Sequence, residues 1–512
     1  MKNKITYSVA AASFSLVVIS IISKGFGFIR EIVYANSFGL SKEFDLFLVS
    51  AAIPITINTA VLYIAQHYFV PTYHKLKIIS ETDAQNFTGK SFYWFFFSGL
   101  ILASLLAILS NPIIQLFVSA DETITFMLSR NLFLLFLITI PLNAGVSILF
   151  AYLQSEYKFI LPAILQLIMN IVIILMVILF SSEYNVYVLP ISFIAGNLLA
   201  IVYLTFSLKS LLKINELTSV KKTDIKQSDL LFSLIIIEFV SLSYPIVDRY
   251  FYEIIPAGGI AALNYAITIY TIPVSIFTIA LITTIFPKFS QSALDNKAEL
   301  VTSLRKSISI NIYLMVPISF VLIHFGADLI RLFYERGKFL SSDTFITSEV
   351  LKLYTISLVF YSTYLIAIKL LYSISKYKVV LYLSFSALLI KIFMNLLFVK
   401  NYFQNGLAIS TSIVFLFLCI GGYFFIDKHL KEKLNLYLFR LIVINFFNAI
   451  ISISIITILS VLLLPSVVNG IWIKLLFFIT VFIFNSMIIK SEDYIMAKNF
   501  LLSYLDKANQ NG

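Results

Sequence analysis

Long uninterrupted apolar runs dominate this sequence, and they leave few folds open. About fourteen stretches of 18 or more predominantly apolar residues can be marked. They lie near 7–29, 45–70, 91–117, 126–152, 159–181, 186–208, 229–254, 258–286, 308–333, 346–374, 379–399, 405–426, 437–464 and 468–489. Each is long enough to cross a hydrocarbon core of about 30 Å as a helix. Lipid offers no hydrogen bonds to backbone, so only helices or a closed barrel can span it. Barrel strands alternate in hydropathy over about ten residues; these runs are continuous. With 60% hydrophobic and 12% charged residues, against about 45–50% and 25% in soluble domains, the expected class is an all-α polytopic membrane protein.

Loop charges set the expected orientation. With Lys2 and Lys4 inside, the basic loops all fall on one side: Lys75 and Lys77, Lys158, Lys209 to Lys226, Lys288 to Lys306, Lys376 and Lys378, Lys428 to Lys433, and the tail with Lys490, Lys498 and Lys507. The opposite loops carry only Lys42, Arg336, Lys338 and Lys400. The positive-inside rule then puts both termini in the cytoplasm. It also accounts for the net charge of +11 without nucleic acid. The segment after Lys4 lacks a small-residue cleavage pattern and reads as a retained span. One cysteine, Cys419, excludes a disulfide within the chain.

The polar stretch 209–228 divides the chain. The expected organisation is an N-terminal six-helix lobe (1–208), a cytoplasmic linker (209–228), a second six-helix lobe (229–427), a C-terminal helix pair (428–490) and a cytoplasmic tail (491–512) on the membrane surface. The lobes look like copies. Arg30 is followed 24 residues later by Pro54, in a helix expected to end at Phe69-Val70-Pro71; Arg249 is followed 24 residues later by Pro273, in a helix expected to end at Ile285-Phe286-Pro287. Internal repeats with interrupted helices are a transporter plan, with the substrate site at the repeat interface.

No catalytic pattern is present. The four histidines have no metal-ligand spacing and there is no Walker A loop, so neither an enzyme nor a metal cofactor is expected. Charges within spans are costly and mark candidate sites. Lys24, Arg30 and Arg249 form a candidate patch for a diphosphate, since arginine binds phosphate through a fork and lysine as a point charge. Lys24 and Arg30 could share a cavity if the helix bends at Gly25 or Gly27; the alternative is cations snorkelling to headgroups. Asp45 is a candidate gate paired with Arg30 or Lys24, or else a plain helix cap. Glu238 and Asp248 are candidate carboxylates for a coupling proton or sodium ion. Lys369 and Lys391 could pair with them, and a buried lysine could replace a bound cation. Lys391 shares a helix face with Asn395.

Four patches resemble the MurJ/MviN family of lipid II flippases, within the multidrug/oligosaccharidyl-lipid/polysaccharide exporter superfamily. They are Gly27-Phe28-Ile29-Arg30-Glu31 with Phe44-Asp45-Leu46-Phe47; Val247-Asp248-Arg249 with Ala262-Leu263-Asn264-Tyr265-Ala266 and Phe286-Pro287-Lys288-Phe289-Ser290; Leu332 to Phe339 with Asp343-Thr344; and Met394-Asn395-Leu396-Leu397 with the surroundings of Gly406. The resemblance covers about residues 7–425. It implies two six-helix lobes plus a helix pair, alternating access, and an undecaprenyl-diphosphate-linked saccharide as substrate. It puts Lys24 in the place of a family arginine, matches Arg30 and Asp45, and sets Asp248, Asn395 and Thr411 where a coupling cation is expected. Three departures stand out. Asn58 and Thr59 replace an arginine pair, Ile267-Thr268 replaces Asp-Arg, and Lys391 replaces an asparagine.

The leading expectation is a lipid II flippase of the bacterial cytoplasmic membrane, monomeric, in contact with membrane lipids and with envelope polymerases or glycosyltransferases as partners. It would be driven by Na+, H+ or the membrane potential. A flippase for O-antigen or capsule repeat units, a drug/cation antiporter of the same superfamily, and a non-transporting envelope scaffold are the alternatives.

Overall fold

The computed structural model describes residues 22–209, 211–212, 228–462 and 470–499, and among them the regular structure is helical throughout. Most of the expected linker, the first 21 residues and the tail beyond 499 lie outside the described residues. In chain order the helices are α1 (22–38), α2 (Lys42–Ile79), α3 (Glu81–Ile108), α4 (Thr123–Ser155), α5 (Ile160–Tyr184), α6 (Val188–Ser207), α7 (Ser228–Leu242 and Tyr244–Arg249) and α8 (Gly259–Ala293). They continue as α9 (Lys297–Tyr334), α10 (Ser341–Thr355 and Leu358–Ser373), α11 (377–402), α12 (404–430), α13 (Leu434–Leu462) and α14 (Ile471–Ile489).

By length and apolar composition, nine helical stretches among the described residues can cross a membrane, or ten if the two pieces of α10, bent by 46°, count as one span. The expected figure of fourteen is not reached by this criterion. Two of the nine, 160–207 and 377–430, each hold two of the apolar runs read from the sequence. The expected ends at Pro71 and Pro287 are also corrected, because both helices run on to Ile79 and Ala293. Proline lacks an N–H and disturbs the ladder, but a helix can absorb it by widening a turn. α2 has a π-turn at Ala65–Phe69 just before Pro71; α8 has one at Val274–Thr278 just after Pro273 and passes Pro287 as regular α-helix.

The chain packs as two compact units. Among the described residues, unit 1 comprises those up to Ala261 with Tyr334–Asp343, and unit 2 comprises Ala262–Phe333 with those from Thr344 onward. Residues 228–261 thus pack with the first six spans. In unit 1, α3 and α4 close on α2 around Phe69, Tyr73, Phe87, Phe92, Leu149 and Tyr152. In unit 2, Tyr270, Ile312, Met315, Leu358 and Tyr423 are buried. They surround a polar inlay in which the Asn311 amide donates to Ser362 (2.9 Å) and Thr363 (3.2 Å) and accepts from Thr278 (2.8 Å). The last helix pair is tied by Asn448 donating to Ser486 (2.8 Å). The start of the tail, expected on the surface, is pinned inward: Asp493 is buried and accepts from Asn445 of α13.

The backbone carries the repeat that the Arg–Pro spacing suggested. Tyr157 before α5 and Ser375 before α11 both have φ of 58°, and Asn185 after α5 and Phe403 after α11 have φ of 46° and 49°. The separation is 218 residues in both cases (375 less 157, 403 less 185). The turn hydrogen bonds match as well: Lys158 N–H to Leu153 O (2.8 Å) and Lys376 N–H to Leu371 O (2.7 Å). The helix pairs α5–α6 and α11–α12 are therefore counterparts.

Candidate functional site

Arg30 sits on α1, which runs unbroken from 22 to 38 with Gly25 and Gly27 inside it. The helix is not interrupted at either glycine. Lys24 is exposed. The guanidinium of Arg30 donates to Glu31 (2.8 Å) and to Asn170 Oδ1 on α5 (3.2 Å). It also lies over the rings of Tyr34 (5.6 Å) and Phe193 on α6 (5.8 Å). Guanidinium has five donors in a fixed fork, and here one carboxylate, one amide and two ring faces orient it. The Arg30 side chain keeps 25% of its surface exposed. Such a group can exchange a carboxylate for another oxyanion without being rebuilt.

Asp45 is fully buried and does not pair with Arg30. Nor does it cap its own helix, since Ser41 takes that role at Phe44 N–H (3.3 Å). Its carboxylate instead accepts from Gly258 N–H (2.5 Å) and Ala261 N–H (2.6 Å), at the start of α8. The first amides of a helix have no internal partner and carry partial positive charge, so a carboxylate there is a clasp between α2 and α8. Arg249 lies within electrostatic reach of it. Two glycines make the approach. Gly258 has φ of 86°, and a Cβ on it would meet the Leu40 carbonyl. Gly39 has φ of 56°, and a Cβ there would overlap the Lys338 carbonyl. Asn36 O accepts from Lys338 N–H (2.9 Å). At the 118–123 turn, Ser119 N–H donates to Glu253, and Lys42 pairs with Glu122 at 2.8 Å. The charge of Lys42 and a hydroxyl bond from Thr125 hold the Glu122 carboxyl below the usual range. Four connecting segments thus fasten one end of unit 1.

Asp248 is buried and Glu238 half-buried on α7. Glu238 acts electrostatically on Tyr63, whose ring stacks on His67 at 3.9 Å. Pro54 and Pro273 are both buried. Asn58, at a departure from the family pattern, donates to Thr139 at 2.8 Å. In unit 2, the Lys369 ammonium lies over Phe286 (5.7 Å) and Tyr372 (5.9 Å). Lys391 and Asn395 are fully buried, and Lys391 Nζ donates to Thr411 Oγ1 (2.6 Å) and Leu407 O (3.2 Å).

Lys391 and Thr411 are therefore brought together, as are Asp45 and Arg249. Sequence reasoning missed Asn170, Phe193, Glu31 and the amides at Gly258 and Ala261. Only Glu31, beside Arg30, carried a signal. A groove of about 590 Å³ between α2, α3 and α4, lined by Tyr68, Phe87, Lys90 and Trp94 among others, involves none of the expected residues.

A family model described as lipid II flippase MurJ matches residues 34–483. A probable lipid II flippase MurJ of Borreliella burgdorferi is 27% identical over 429 residues, covering 81% of this chain and 82% of the relative. The lipid II flippase MurJ of Thermosipho africanus is 25% identical over 408 residues, covering 79% and 83%. Among solved structures, a lipid II flippase MurJ in an inward closed conformation superposes with a TM-score of 0.78 at 24% identity, covering 93% of this chain and 98% of that one. An inward-facing multidrug transporter of the MATE family gives 0.64 at 14% identity, covering 82% and 98%. These last two concern the fold.

Proposed function

This chain belongs to the MurJ family of lipid II flippases, and we propose that it translocates an undecaprenyl-diphosphate-linked saccharide, lipid II, across the bacterial cytoplasmic membrane by alternating access. The observation that carries the reading beyond family membership is Arg30. It is a guanidinium on a membrane helix, oriented by Asn170, Tyr34 and Phe193, whose one carboxylate partner a diphosphate can replace. The exposed Lys24 and the arginine at position 249 supply further positive charge for the same anion. Transport follows as alternating exposure of that site, with both termini in the cytoplasm and the Asp45 clasp on the outer face. Release of the saccharide requires Asp45 to let go of Gly258 and Ala261. The protein acts as a monomer and hands its cargo to an envelope polymerase or glycosyltransferase.

Depletion of a resident lipid II flippase, with this chain expressed in its place, tests the reading. Growth and normal cell shape are expected with the wild type and are lost with Arg30→Ala at equal expression. Failure to rescue, together with restored surface polysaccharide in a strain lacking a repeat-unit flippase, would replace lipid II by a capsule or O-antigen unit as the cargo.

A further inference from the structure

A coupling cation is what the family resemblance implies near Asn395 and Thr411, and the residues of unit 2 do not fit a mobile metal ion there. α11 and α12 double back at Phe403 so closely that a Cβ on Gly406 would meet the backbone of Phe398 and Val399. Lys391 projects between them and is 1% exposed; among the largest fully buried side chains of the described residues it is the charged one. The Thr411 hydroxyl donates to Leu407 O at 2.8 Å, which turns its lone pairs toward Lys391 Nζ at 2.6 Å. Leu407 O also accepts from the ammonium at 3.2 Å. Asn395, one turn from Lys391, is wholly buried. A buried charge is tolerated only when such oxygens compensate it, and these are the hard oxygen donors an alkali cation would need.

We infer that Lys391 is a tethered cation: its ammonium permanently fills the oxygen-lined site between α11 and α12, and the protein works without binding sodium there. The counterpart in unit 1 supports this. In the 218-residue register Thr411 corresponds to Phe193, and the Arg30 guanidinium lies over Phe193. Each unit thus brings a side-chain cation against the corresponding position of its helix pair. The inference deepens the transport reading by removing one driving ion. Its test reads stability, so it fails separately from the choice of cargo.

The full-length protein, purified in detergent, is unfolded by heat in sodium chloride and in choline chloride at equal ionic strength. The wild type is expected to unfold at the same temperature in both. Lys391→Asn exchanges the ammonium for an amide oxygen donor and opens the site. It should gain an upward shift of a few degrees that saturates with sodium, as ligand binding to the folded state requires. Lys391→Met fills the space without a donor and should be insensitive to sodium. A saturable sodium-dependent shift in the wild type would overturn the inference. So would a folded Lys391→Asn protein that ignores sodium. If Lys391→Asn does not fold in either salt, the wild-type titration decides.

Discussion

In unit 1 the helix pair α5–α6 turns at Asn185 and meets a cation supplied from another helix, Arg30 of α1. In unit 2 the matching pair α11–α12 turns at Phe403 and carries its cation on its own chain, at Lys391. One backbone plan therefore serves two purposes. The Arg30 side chain is partly exposed; Lys391 is buried and donates to two oxygens of its own hairpin. On the proposed reading, the difference separates a cation that receives an anion from one that completes a core.

The largest effect that can break this comparison is expected at Arg30. Each charge-assisted hydrogen bond is worth about 1.5–3 kcal/mol, so losing a two-bond fork to diphosphate lowers transport by more than about 100-fold. Arg30→Ala should show that loss in vesicle translocation assays, and Arg30→Lys should recover only part of it. A smaller effect is expected at the clasp. Counted from the two prolines, Asp45 corresponds to Asn264 in the second half, so Asp45→Asn makes the halves alike. It should lower unfolding stability by about 1–2 kcal/mol, and Asp45→Ala by about 2–4, because two buried amides then lose their acceptor.

The paired turns sharpen the comparison from the backbone side. A non-glycine residue at positive φ costs of order 1 kcal/mol. Asn185→Gly and Phe403→Gly should each gain up to that amount, the second slightly less because Phe403 gives up some apolar contact. Equal signs in a denaturation series would support a shared plan, and opposite signs would break it. The smallest effect separates the two turns by pH. Next to Tyr157, burial raises the Glu156 carboxyl, but the Lys77 ion pair and the Tyr73 hydroxyl bond (2.6 Å) outweigh it and hold the group below the usual range. Its contribution, under about 1 kcal/mol for a partly exposed pair, is full above the ordinary carboxylate pKa. It is lost as pH falls through the lowered value. The counterpart position in unit 2 is Ile374, so Glu156→Gln should remove this acid-side slope in stability measured against pH.

Much of this was legible in the sequence. The apolar runs gave the helical class, and Arg30–Pro54 against Arg249–Pro273 gave the repeat. The helix ends at Pro71 and Pro287 were misplaced because a membrane helix can continue through proline: α2 passes Pro71 directly after a π-turn, and α8 passes Pro287 within regular α-helix. The turn at Phe403 was illegible for a different reason: phenylalanine has no preference for positive φ, whereas its counterpart Asn185 does. The Asp45 clasp was missed since its partners are backbone amides, which every residue has. Lys391 was legible as a buried cation, but its partner Leu407 O is again backbone. Side-chain patterns thus located the charged groups, and main-chain partners decided what each one does.

Arg30 is the proposed point at which the chain holds a lipid-linked diphosphate as it crosses the membrane. Exposure of lipid II at the outer face, measured with an externally added lipid II-cleaving enzyme in cells depleted of their resident flippase, tests it most directly. Wild-type protein should restore cleavage, and Arg30→Ala at equal abundance should leave it at background. Background cleavage with the wild type, or full cleavage with Arg30→Ala, would contradict the claim.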